Sequence, residues 1–281
     1  MKRVGLFDLD IFAYHAAAAS EVETDWGDGL WTLHSYLDDA IAQAEDEIES
    51  LSKKLKLDTI ILCVTSSWNW RMSVLPTYKG NRKDVRKPLV LNRLKDELGK
   101  KYQSVKIEGL EADDVMGILA TSPLFMPDHQ KIIISEDKDM KGIPCFLFNP
   151  RNDEREQEIT EEAADKWFLT QALIGDPTDG YSGCPGAGPV LANELFSENV
   201  VWEQYEHTFK TGPRKGIVEL RMRKVPNEGS LWNCVMSAYS KAGCDEEFAL
   251  TQARVARILR FEDFDFTTMK PILWTPDRIS I

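Results

Sequence analysis

Nine carboxylates fall where this chain should begin a helix or end a strand: Asp8, Asp10, Glu111, Asp113, Asp114, Asp137, Asp139, Asp176 and Asp179. A single such residue is an ordinary cap, because a carboxylate satisfies free backbone N–H groups and complements the helix dipole. Nine exceed what capping needs. Crowded carboxylates repel one another and take up protons unless a cation lies between them. An all-oxygen donor set without clustered His or Cys selects Mg²⁺ or Mn²⁺ over zinc. Two such ions about 4 Å apart can activate a water and stabilise the leaving oxygen in phosphodiester hydrolysis. Of the first pair, Asp8 is the preferred ligand and Asp10 is read as a helix cap.

The charge distribution supplies a matching substrate class. The chain carries a net charge of −12, yet residues 71–106 hold eleven Lys or Arg and three acids, a local +8 that leaves −20 on the rest. This asymmetry suits a polyanion on the basic segment and divalent cations on the acidic body. Gly183-Cys-Pro-Gly-Ala-Gly188 could turn consecutive backbone N–H groups toward a phosphate at a helix start, although such a cluster between helices is usually just a turn. Lys79, Arg82 and Lys83 could equally be a solvated face. Trp68 and Trp70 are more often packing residues than platforms for unpaired bases, and His15 is a plain helix residue.

These residues must be positioned by an alternation of strands and helices. Arg3–Phe7, Thr59–Val64, Val105–Ile107, Ile132–Ser135 and Cys145–Phe148 read as strands. Tyr14–Ser20, Leu30–Leu55, Leu89–Lys101, a run from Glu111 and Glu161–Ile174 read as helices. The pattern is that of an α/β, mostly parallel sheet, which presents ligands at the carboxyl ends of its strands. Residues 152–159 read as a surface hairpin or loop, and Ser230–Ala242 and Glu246–Arg260 as a helical C-terminal part.

With 281 residues and 43% hydrophobic composition, the chain exceeds the usual single-domain size, and a boundary is expected near Glu158. No apolar run is long enough to span a bilayer, and no apolar signal core follows Met1. Cytoplasm, the host's if phage-encoded, is the default location. Five cysteines without a C-x-x-C pair fit reduced thiols better than disulfides or zinc.

The order Asp8, Tyr78-Lys-Gly-Asn-Arg82, Glu111-Ala-Asp-Asp114, Asp137-Lys-Asp139, Gly175-Asp-x-x-Asp179 and a Gly-x-x-Gly-x-Gly turn resembles the flap endonuclease and 5′-3′ exonuclease family, particularly its phage members. The resemblance covers about residues 3–200. It implies a PIN-like catalytic domain over 1–158 with an arch at about 68–106. A helical DNA-binding domain would follow over 159–281, with a helix-hairpin-helix-like turn at about 175–196. Carried over, Asp8, Glu111, Asp113, Asp137 and Asp139 serve one Mg²⁺, and Asp114, Asp176 and Asp179 a second, looser one, with Mn²⁺ as a substitute. Lys79 approaches the scissile phosphate and Arg82 a neighbouring one. Tyr78 packs or stacks near the substrate, and Lys83 adds a DNA contact. Gly183, Gly186 and Gly188 grip a DNA strand, with K⁺ as an aid.

The implied function is 5′-side hydrolysis of duplex or branched DNA in replication, primer removal and recombination, by a monomer that could meet replication proteins. The rivals are a PIN-like ribonuclease and a branched-DNA binding protein with weak catalysis. Two departures stand out. After the second strand the family usually has another metal-binding Asp, where this chain has Thr65 and Ser66. Pro189 stands where the family's turn often has Lys or Arg.

Overall fold

A computed structural model describes residues 1–82 and 85–278. Lys83, expected to touch DNA, lies outside the described residues. The chain forms two compact units. Unit 1 comprises residues 1–70, 82–164 and 258–272, and unit 2 comprises 71–81, 165–257 and 273–281. The chain therefore passes between them more than once, which a single cut near Glu158 does not describe. The segment expected to form an arch is itself shared, 71–81 in one unit and 82–106 in the other.

Unit 1 is built on β1 (Lys2–Asp8), whose residues from Val4 onward are all buried. A strand covered on both faces reads as a continuous apolar run, and Val-Gly-Leu-Phe is one. It pairs in parallel with β4 (Thr59–Val64) and with β6 (His129–Ile134). β5 (Ser104–Lys106) and β7 (Cys145–Phe148) extend the parallel sheet on either side, and β8 (Gln157–Ile159) closes one edge antiparallel. The order is β5-β4-β1-β6-β7-β8. Alternate residues Phe7, Leu62, Ile132 and Ile134 join one core with α1 (Leu9–Ala19), α2 (Leu37–Leu55) and α4 (Leu91–Lys101). In α1, Ala13, Ala16 and Ala17 are the small residues that let this helix lie close to the sheet. α5 (Ala112–Thr121) packs on β1, β4 and β6.

The last part of unit 1 comes from far down the sequence. Leu259 donates its backbone N–H to Asp114 Oδ1 at 3.1 Å, Phe261 its own to Thr121 Oγ1 at 2.8 Å, and Arg260 Nη2 donates to the Gly142 carbonyl at 3.2 Å. Gly117 makes room for this return: a Cβ there would overlap the Leu259 carbonyl.

Unit 2 holds α3 (Arg71–Val74), α6 (Glu161–Ile174) from Asp165 onward, α7 (Pro189–Glu198), α8 (Leu231–Lys241) and α9 (Glu246–Ala256). Phe168, Leu173, Leu195, Trp232, Tyr239 and Trp274 belong to its core. Arg71, counted above with the basic segment, is buried and donates to the carbonyls of Val255 and Arg257 at 2.9 and 2.7 Å. It caps the C-terminal end of α9, where carbonyls lack helical partners.

Two expectations need correction. Leu30–Leu55 is not one helix: β2 (Glu21–Asp25) and β3 (Trp31–Ser35) form a hairpin, and α2 starts at Leu37. The C-terminal part is not wholly helical either, because β9 (Val200–Thr208) and β10 (Val218–Pro226) form a long antiparallel hairpin. In both cases a glycine-containing loop with φ > 0 residues reverses the chain, and strand pairing overrides the weak helical pattern.

Candidate active site

The acidic residues of unit 1 gather at the carboxyl ends of its central strands. Asp8 ends β1 and Ser135 follows β6, and Phe7 and Ile134 are register partners. Asp8 is 3% exposed. Its Oδ1 accepts from the backbone N–H groups of Asp10 and Ile11 at 3.1 and 3.3 Å, so Asp8 is the cap of α1. Asp10, expected in that role, instead forms an ion pair with Lys95 of α4. Ser135 Oγ donates to Asp8 Oδ2 at 3.3 Å and accepts from Asp137 N–H at 3.1 Å. Asp137 Oδ1 in turn accepts from Asp139 N–H at 2.8 Å, which fixes the turn that carries both acids. The sequence reading passed over Ser135; its place directly after an isoleucine run is the signal that marks a strand end.

Glu111 occupies the cap position of α5 and is buried, and Asp113 lies in the first turn, half-buried. Cys63 is the register partner of Asp8. Burial pushes its thiol well above the usual range, and Asp8 and Asp113 push it further, which places both acids beside one buried side chain. Asp8 itself is pushed up to about 7, first by burial, then by Asp10 and Asp137, against hydrogen bonds from Ile11 and Ser135. Proximity of like charges and desolvation both disfavour the anion. A divalent cation would relieve that cost, and the donors are all hard oxygens, so the residues present fit Mg²⁺-class metals. Among the described residues, no group of three or more His, Cys, Asp or Glu is already placed to hold a metal ion.

Asp114 does other work. It is 0% exposed, accepts from Trp70 Nε1 at 3.0 Å through Oδ2 and from Leu259 N–H through Oδ1. Both oxygens tie parts of unit 1 together. Thr65 likewise acts on the backbone, its Oγ1 accepting from Ala112 N–H at 2.9 Å at the start of α5. Ser66 is buried with its hydroxyl unpaired among the described residues. Trp68, half exposed, lies over Gly109.

In unit 2, Asp176 and Asp179 share one tight turn. Asp176 Oδ1 accepts from Thr178 N–H at 2.7 Å, and its carbonyl accepts from Asp179 N–H at 3.2 Å. Tyr78 is buried and donates its hydroxyl to Asp179 Oδ2 at 3.0 Å. Lys79 Nζ lies 3.6 Å from the same oxygen and 5.1 Å from the Tyr78 ring centroid. Tyr78 thus packs and is not a base-stacking surface. Arg82 is exposed at the end of the turn Gly80–Arg82.

The three glycines of the turn differ. Gly175 (φ +73) and Gly183 (φ +64) are pressed backbone to backbone, and Gly183 N–H donates to buried Gln252 Oε1 at 2.9 Å. That N–H is committed inside the protein. Gly186 (φ +76) and Gly188 face open space, and Gly188 caps α7 ahead of Pro189.

A mostly parallel sheet that gathers carboxylates at the carboxyl ends of its central strands is a PIN-like α/β nuclease fold. A phage T5 protein co-crystallised with metal ions has this fold, with a TM-score of 0.56 at 16% identity over 91% of this chain and 89% of its own. The 5′-3′ exonuclease, N-terminal resolvase-like domain matches residues 11–163. The exodeoxyribonuclease of Enterobacteria phage T3 and the exonuclease of Escherichia phage T7 are each 36% identical over 98% of this chain, covering 93% and 94% of their own lengths. The chain belongs to the 5′-3′ exonuclease family and is a nuclease of that kind, for which dependence on divalent metal is implied.

Proposed function

We propose that this nuclease hydrolyses phosphodiester bonds from the 5′ side of duplex or branched DNA, with Mg²⁺ as the native cofactor and Mn²⁺ as a substitute. The observation that carries the reading is the Asp8–Ser135–Asp137 chain of hydrogen bonds, with Asp8 pushed up to about 7. Divalent ions held by Asp8, Glu111, Asp113, Asp137 and Asp139 would supply the positive charge that activates water and offsets charge on the phosphate. The protein's own part is orientation. Ser135 fixes Asp8 relative to Asp137, and the Asp137 turn presents Asp139.

Asp176 and Asp179 take a second ion, held less tightly because Lys79 already neutralises part of Asp179. Lys79, 3.6 Å from Asp179, exchanges it for a phosphate oxygen, and Arg82 holds the next phosphate. Gly186 and Gly188 offer a backbone surface to a DNA strand, with K⁺ as a bridge. The roles in primer removal and recombination follow from this activity.

The test is hydrolysis of 5′-labelled duplex, 5′-flap and single-stranded DNA and RNA, in Mg²⁺ or in EDTA, by wild type and by Asp137→Asn. Asn keeps the oxygen that accepts from Asp139 N–H, so the turn survives while one charge is lost. Mg²⁺-dependent cleavage of duplex or flap DNA that the substitution removes is the expected result. Binding without cleavage in both Mg²⁺ and Mn²⁺ refutes the reading, and preference for RNA turns it toward a ribonuclease.

A further inference from the structure

The β9–β10 hairpin belongs to none of the machinery above. Only its base, Val200 to Trp202, packs on the core of unit 2. Farther out, Gln204, Glu206, Thr208, Val218 and Leu220 are exposed on one face. The opposite face carries Tyr205, His207 and Phe209 at every second residue. Their ring centroids are 6.3 and 5.0 Å apart in succession.

Guanidinium groups cover these rings. Arg223 Cζ lies 5.1 Å from the Tyr205 centroid, and Arg221 and Arg214 lie 5.0 and 4.3 Å from that of Phe209. Cross-strand register accounts for the arrangement, with Tyr205 opposite Arg221 and Glu203 opposite Arg223. Residues 200–226 hold six Lys or Arg and three Glu, a net +3 in a chain of −12.

A hairpin that needed only solubility would not line up three half-buried rings on one face under guanidinium groups. Nor are the rings core residues, since the strands that bear them are solvated on their other side. Alternating rings and guanidiniums suit a ligand with flat π-faces and regularly spaced anions. Unpaired bases on a sugar-phosphate strand have both, whereas bases within a duplex hide their faces in their own stack. Arg223 pairs with Glu203 at 2.6 Å and Arg221 with Glu219 at 3.0 Å, all four side chains about half exposed. Such pairs contribute little stability, so a phosphate, which guanidinium binds in bidentate fashion, displaces the carboxylate readily.

We propose that the Tyr205–His207–Phe209 face, with Arg214, Arg221 and Arg223, is a stacking platform for single-stranded DNA. The inference deepens the proposed activity, because removal of one strand of a duplex from its 5′ end uncovers the complementary strand as single-stranded product. Holding that strand would keep the enzyme on its substrate between cleavage events. Side chains two apart on a strand repeat at about 6.8 Å, which gives successive unpaired bases separate places to stack.

The experiment is fluorescence anisotropy with labelled oligo(dT) and the full chain in EDTA, across a range of salt concentrations. Tyr205→Ser with Phe209→Ser should weaken binding by roughly tenfold per ring, while Tyr205→Phe, which keeps the π-face, should bind as wild type does. Arg221→Gln with Arg223→Gln should reduce the slope of log K against log salt by about 1.4, since each phosphate contact on a single strand contributes about 0.7. Circular dichroism verifies that the variants are folded. Unchanged affinity and slope in both double variants overturns the platform, and so does an equal loss of affinity for blunt duplex. Because binding is read without metal, failure of hydrolysis in the separate Mg²⁺ assay tells against the catalytic reading and leaves the binding comparison intact.

Discussion

The raised Asp8 carboxyl makes a prediction about stability before any substrate is added. Its value moves from 3.8 to about 7, roughly three units, and each unit corresponds to about 1.4 kcal/mol between the protonation states. The folded state binds the proton more tightly than the unfolded state does. Ionisation therefore costs stability progressively as pH rises from about 4 to about 7, and the full cost, about 4 kcal/mol as an upper bound, is present above that. Asp8→Asn removes the charge, keeps the side-chain shape and keeps a residue equally good at capping α1. In EDTA the variant should gain on wild type by up to about 2 to 3 kcal/mol between pH 5 and pH 8. Urea denaturation at each pH measures this as a shift in midpoint at constant slope. Millimolar Mg²⁺ at pH 8 should raise the midpoint of wild type and narrow the gap, while the variant loses hydrolysis. A gain that is the same at both pH values, or a variant less stable than wild type at pH 8, would refute the argument that buried like charge makes this a cation site.

Asp114→Ala removes the carboxylate oxygens that accept from the Trp70 indole N–H and the Leu259 amide and should destabilise unit 1 by about 1–3 kcal/mol for each, read by thermal melting in EDTA; a stability change below about 1 kcal/mol would show that these bonds do not support unit 1. Gly183→Ala forces a Cβ into the Gly175 backbone at a left-handed φ and should cost about 3 kcal/mol or more. Gly186→Ala, with open space around it, should cost only about 1 kcal/mol and chiefly weaken duplex binding, so equal melting losses at the two positions would contradict the difference in crowding. Thr65→Asp should keep the bond from Ala112 N–H and supply a carboxylate after the second strand, where the family resemblance leads one to expect it, lowering the Mg²⁺ concentration for half-maximal hydrolysis severalfold; an unchanged metal titration would show that position 65 does not face the metal.

The carboxylates that gather in unit 1 were legible because strand ends are legible. Apolar runs that stop at Asp8 and Ser135 announce where a parallel sheet opens to solvent, and the short spacing of Asp137 and Asp139 fits a turn. The structural bonds of Asp114 were not legible, because adjacent helix residues point in different directions: Asp113 stays half-buried beside the cluster while Asp114 turns inward to Trp70. No local pattern reveals that, since its second partner, Leu259, lies 145 residues away. The partner of the Gly183 N–H was hidden for a related reason, Gln252 coming from a distant helix. The hairpins had local signals, Gly27-Asp-Gly29 and Gly212-Pro-Arg-Lys-Gly216, which an expectation of continuous helix overrode.

The return of residues 258–272 to unit 1 also sets an order of events during translation. Until that segment leaves the ribosome, Asp114 has one oxygen without the Leu259 amide, Thr121 lacks Phe261, and the space over Gly117 is open. At about 5–20 residues per second, the interval between synthesis of Ala164 and of Ile272 is roughly 5 to 20 seconds. Through that interval the nascent sheet carries its carboxylates on an incomplete support. A chain that stops before residue 258 lacks these contacts of unit 1.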